Sequence, residues 1–100
     1  MLHTVNKSPF EKNSLDSCLR LARKGSAILL LEDAVYGAMK GTAIEGKLRD
    51  AVSSFKVYAL GPDLQARGLD AGSVVDGIQI VDYAGFVDLA AESDKVQAWV

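Results

Sequence analysis

Ala27-Ile28-Leu29-Leu30-Leu31 is the longest unbroken apolar run in the chain, and it stops abruptly at Glu32-Asp33. A strand with one face in water alternates apolar and polar residues. Five apolar residues in a row fit a strand covered on both faces, which is the situation of interior strands in parallel sheets. The run is far too short to cross a bilayer.

The flanking segments supply the rest of such a sheet. Leu2 to Val5 reads as a short strand, followed by a polar loop over Asn6 to Lys12 in which Pro9 discourages helix at Ser8. Asn13 to Lys24 reads as a helix. Asn13 is a good N-cap, Asp16 lies in the first turn, Arg23 and Lys24 lie in the last, and Gly25 can stop it. After the central run, Asp33 can cap a short helical turn through Val35, Tyr36, Ala38 and Met39, closed by Gly41. Thr42 to Ser54 carries Ile44, Leu48, Ala51 and Val52 at helical spacing.

Lys56 to Leu60 is the next predicted strand. Gly61-Pro62-Asp63 breaks it and starts a short helix ended by Gly68. Leu69 to Gly77 is irregular, Ile78 to Val81 is a strand, and Asp82 can cap a helix over Tyr83 to Glu92. Val96 to Val100 is a last strand. Strand and helix alternate along the whole chain. The pattern predicts one α/β domain over residues 1–100: a flavodoxin-like, three-layer fold with a five-stranded parallel sheet and right-handed crossovers. Ligands in such folds sit outside the carboxyl ends of the strands, here near Asn6 to Ser8, Glu32-Asp33 and Asp82-Tyr83.

Composition excludes several classes of function. Thirteen acidic side chains against eleven basic ones leave no surplus for a nucleic-acid or anionic-membrane surface. A single cysteine forms no internal disulfide, which fits a reducing, cytoplasmic setting. The opening MLHTVNKSPF lacks the apolar core of a signal peptide. The apolar share, 49%, is high for a small domain with little interior, so part of the surface is expected to lie against another chain.

Cys18 is the only strong nucleophile. With Leu15, Leu19 and Ala22 as the apolar stripe of its helix, Cys18 falls on the shoulder beside Leu21 and Ser14, neither plainly core nor plainly exposed. It reads either as a nucleophile or sulfur carrier, or as the small buried hydrophobe that most free cysteines are. No cation stands three or four residues away to lower its pKa, so activation would have to come from tertiary or intersubunit contacts. His3, the only histidine, could pair with Cys18; a buried, hydrogen-bonded histidine is the plainer reading.

One His and one Cys at no zinc-like spacing argue against a metal site. The loop NKSPFEKN after the first strand has no glycine, which disfavours a flavin or nucleotide cofactor. Glu32, Asp33, Asp63 and Asp82 could line an acidic pocket, although helix capping accounts for the three aspartates. Tyr36, Met39, Phe86 and Trp99 are the large side chains that would serve a partner surface, with core packing as the alternative.

Five segments, MLHTVNKSPF, LLLEDAVYGA, VYALGPDLQARG, VDYAGFVDL and QAWV, resemble the DsrH/TusB family in order and spacing over the whole chain. The resemblance implies a DsrE-like domain that is the smallest of three related subunits, two copies of each forming a cytoplasmic hexamer. Such complexes are of DsrEFH type in sulfur oxidation or TusBCD type in tRNA wobble-uridine 2-thiolation. The implied partners are a DsrE/TusD-like subunit, which carries the main catalytic cysteine, a DsrF/TusC-like subunit, and a DsrC/TusE-like sulfur acceptor. A cysteine within SCLR resembles the DsrH branch. It makes Cys18 an auxiliary persulfide candidate in a DsrEFH-type complex, with an inert Cys18 in a structural TusB-type subunit as the alternative. A flavodoxin-like binding module unrelated to either is the third reading.

Overall fold

Five strands form in the computed structural model, which describes all 100 residues: β1 (Leu2–Val5), β2 (Ala27–Leu30), β3 (Lys56–Leu60), β4 (Gln79–Val81) and β5 (Val96–Trp99). All pairings are parallel and the order is β4-β3-β2-β1-β5. The apolar run thus supplies the middle strand, and the three-layer α/β expectation holds. Between the strands lie α1 (Ser14–Leu21), a 3-10 helix (Glu32–Ala38), α2 (Glu45–Ser54), α3 (Gly61–Ala66), a 3-10 turn (Ala71–Ser73) and α4 (Tyr83–Glu92).

The strand order divides the helices unequally. The chain steps from β1 through β4 in one direction, then returns across the sheet to β5. With right-handed crossovers, the elements of the first three connections share one face and α4 alone covers the other. The packing follows this. Ile28 and Leu30 point into a large core with Leu15 and Cys18 of α1, Val35 of the 3-10 helix, Leu48 and Ala51 of α2, and Leu64 of α3. Leu29 points the other way, into a small core of Leu2, Leu29 and Leu60 lined by Phe86, Leu89 and Ala90 of α4. Ile28, Leu29 and Leu30 of β2 are fully buried, on both faces of the sheet, as the unbroken run requires.

Several local expectations are corrected. Asn13 makes no side-chain cap, and α1 stops at Leu21 because Ala22 turns to an extended conformation. Arg23 and Lys24 therefore belong to the connection, whose Gly25 has a φ of +87° and donates to the Ser54 carbonyl. Asp33 lies within the 3-10 helix rather than capping it, and bonds Arg67 at 2.9 Å. Asp63 does not cap α3; its Oδ2 accepts from the backbone N–H of Glu32 at 2.6 Å. That bond holds Glu32 at a φ of +50°, a left-handed conformation costing a non-glycine residue roughly 1–2 kcal/mol. Asp82 does cap α4, accepting from the Gly85 N–H at 2.8 Å.

Gly37 is where two connections touch. A Cβ there would lie 2.8 Å from Pro9 Cγ and 3.3 Å from Ile44 Cδ1. Gly37→Ala should lower the unfolding free energy by about 1–3 kcal/mol through overpacking. Gly46→Ala, where the added methyl meets nothing within 4 Å, should leave it unchanged or raise it by up to about 1 kcal/mol. Urea midpoints of the two variants check the contrast; equal effects would mean that the Pro9 contact is absent.

Candidate functional site

Cys18 lies in the large core with no exposed surface. The expected shoulder position is corrected, and the reason is the neighbour of α1 rather than its own pattern. The α1 helix packs on β1 and β5, while its other flank meets α2, where Asp16 pairs with Lys47 and Leu19 lies beside Phe55. The buried face is consequently turned towards Ser14, Leu15 and Cys18, and Leu21 is left 64% exposed. Burial pushes the Cys18 thiol up to about 12, so at neutral pH it is protonated and a poor nucleophile.

His3 is buried and hydrogen-bonded, the plainer of its two readings. Its Nδ1 accepts from Trp99 Nε1 at 3.1 Å, with the ring centroids 6.1 Å apart. Its pKa is lowered by burial and, to a lesser degree, by the positive charge at the chain's amino group. No sequence signal links residues 3 and 99. They meet because β1 and β5 are neighbours, with Val5 opposite Trp99 and His3 opposite Gln97.

The four large side chains expected on a partner surface are placed differently from one another. Met39 is buried in the large core, which corrects its reading as an interface residue. Trp99 is partly buried against that core and occupied by His3. Phe86 packs partly on the small core, and Tyr36 is 38% exposed. Sequence reasoning missed the outer side of α4. That helix has no buried residue although it reads YAGFVDLAAE, and Tyr83 and Val87 are 60% and 64% exposed. The signal was present: Tyr83, Val87 and Ala91 are more apolar than the outer face of a solvated helix needs to be.

The acidic residues at the strand ends do not converge into a pocket of free carboxylates. Asp33, Asp63 and Asp82 are each bonded as described above, and Asp70 accepts from the Gly72 N–H. A cavity of about 820 Å³ opens at the carboxyl ends of β3 and β4, walled by Pro62, Leu64, Ile80, Val81 and Asp82. No three His, Cys, Asp or Glu side chains come together as metal ligands, and no helix is long and apolar enough to cross a membrane.

The family model for DsrH-like proteins matches residues 7–96. The chain belongs to the DsrH-like family. Protein TusB of Escherichia coli K12 is 40% identical to this DsrH-like chain over 99 residues, covering 99% of it and 100% of TusB. Protein TusB of Shigella flexneri is 40% identical over the same coverage. The DsrH/TusB resemblance read from the five segments therefore stands. Two solved structures share the fold. The ychN protein of Escherichia coli superposes with a TM-score of 0.81 at 21% identity, covering 97% of each chain. MTH1491 of Methanobacterium thermoautotrophicum gives 0.76 at 15% identity, covering 97% of this chain and 95% of that one. The family match begins after β1 and ends at Val96.

Proposed function

We propose that the chain is a structural subunit of a cytoplasmic sulfur-relay complex of TusBCD type, serving 2-thiolation of the tRNA wobble uridine. In this reading it has no activity of its own. A DsrE/TusD-like sister carries the persulfide, a DsrF/TusC-like sister completes the hexamer, and a DsrC/TusE-like protein accepts the sulfur. The observation that carries the proposal is the 40% identity with TusB along 99 residues. The state of Cys18 supports it. Accepting sulfur takes attack by a thiolate on a persulfide, and handing it on takes attack by the next thiol. A thiol with no exposed surface and a pKa raised to about 12 is poorly disposed to either step. A DsrEFH-type complex with Cys18 as auxiliary carrier would need α1 to lift from the sheet it packs on and expose the thiol.

The outer side of α4 supports assembly, because an apolar helix face left open in the single chain is the kind of surface a partner covers. Co-expression with the two sister subunits should yield a mixed hexamer by native mass spectrometry. Val87→Asp should abolish that hexamer while leaving the urea midpoint of the chain alone unchanged, since Val87 buries little. A persulfide donor should add one sulfur atom to the large sister and none to this subunit. Cys18→Ala should still restore thiouridine in cells lacking their own copy. Uptake of sulfur by this subunit, lost in Cys18→Ala, would return the assignment to the DsrEFH type. Recovery of only the monomer on co-expression would remove both.

A further inference from the structure

At the amino ends of the strands, opposite the carboxyl-end loops, a cavity of about 650 Å³ lies between the α1–β2 connection and the residues that lead into β5. Arg23, Lys24 and Lys95 line it, and none of the three forms an ion pair. The one carboxylate in its wall, Asp94, is engaged by the Met1 ammonium at 3.2 Å. In a chain of net charge −2, three unpaired cations around one cavity run against the overall balance.

His3 forms part of the wall and is 95% buried, at 5% exposure. Its Nδ1 accepts the Trp99 indole N–H, so that nitrogen carries a lone pair and the proton of the neutral ring sits on Nε2. Nε2 has no protein partner, yet it is not among the polar atoms sealed from solvent. It is a donor fixed in one tautomer, on a residue of the cavity wall. The end of α1 would by itself favour a cation, but the Cys18 carbonyl in its last turn already accepts the Ala22 N–H, and the Arg23 carbonyl of the connection accepts that of Ser26.

We propose that this cavity binds a tetrahedral oxyanion, phosphate or a group of its shape and charge, held by the His3 Nε2–H and the side chains of Arg23, Lys24 and Lys95. Three cations and a neutral donor match a dianion better than a singly charged carboxylate, and charge-assisted hydrogen bonds from Arg and Lys are the strong ones. The anion is either free or the phosphate end of a larger ligand. The site is independent of the sulfur-relay reading, since it uses neither Cys18 nor the outer side of α4.

The test is nuclear magnetic resonance on the full-length chain, following the His3 ring and the Trp99 indole N–H while inorganic phosphate is added at constant ionic strength. Both signals should move and saturate together, because the indole is bonded to the ring that contacts the anion. Lys95→Gln and Arg23→Gln should each weaken binding by roughly three- to tenfold without altering the fold. A nucleoside 5′-monophosphate run in parallel separates the sources: tighter binding than phosphate marks a larger ligand, weaker binding a free anion. Shifts that chloride or acetate reproduce, shifts that fail to saturate, or affinities unchanged in both variants would overturn the site.

Discussion

Iodoacetamide should modify Cys18 in the folded chain at least a thousandfold more slowly than it modifies free cysteine at neutral pH. With the thiol pushed up to about 12, its thiolate is roughly three thousand times scarcer than that of an ordinary thiol of pKa about 8.5. Burial in the core adds a barrier of access. Urea should restore the ordinary rate. The same shift fixes a pH dependence. The unfolded chain releases the thiol proton above about pH 8.5 and the folded chain holds it to about 12. The stabilisation is therefore whole below pH 8.5 and is lost as the pH rises through that window, at about 1.4 kcal/mol per unit. Cys18→Ala should lack this slope. Rapid alkylation of the folded wild type would show that α1 opens readily, and the auxiliary-carrier role would regain its footing.

Leu29→Ala and Leu30→Ala should each cost about 2–5 kcal/mol of unfolding free energy by urea titration. For a domain of this size that is a large part of the total. The two side chains are adjacent in sequence and point into different cores, one under α4 and one under α1, α2 and the 3-10 helix. Comparable losses are the signature of a strand buried on both faces. A loss below about 1 kcal/mol for Leu29→Ala would mean that α4 does not cover the sheet in solution.

The sheet was legible in the sequence because three of its five strands end at something chemically sharp. Glu32-Asp33 ends the central run, Gly61-Pro62 ends β3, and Asp82 opens α4 with a cap that forms as expected. The helix ends were less legible where a tertiary bond outbids a local one. Asp63 was read as a cap of α3 but lies inside its first turn and serves the Glu32 N–H, and nothing in the local sequence states that preference. Cys18 was misplaced for the same kind of reason. Periodicity locates the apolar stripe of a lone helix, whereas the buried arc of α1 is set by two neighbours, the sheet and α2. Trp99 was read as a side chain for a partner surface, and its partner within the chain proved to be the only histidine. Contacts between opposite ends of a chain leave no trace in spacing.

The place of β5 beside β1 fixes when this fold can be finished. Leu2 pairs with Val96, 94 positions further on, whereas β1 with β2 and β2 with β3 close loops of about 30 residues or fewer. Wider loops cost more entropy to close and form later. During synthesis the first strand acquires its inner neighbour early, but its outer backbone groups stay open until Val96–Trp99 has left the ribosome. An unpaired strand edge is a template for another chain. Copies in which β5 has not yet paired should therefore be the most prone to aggregation, and the step that closes that interval is the docking of Val96–Trp99 on β1, with the Trp99 indole on His3.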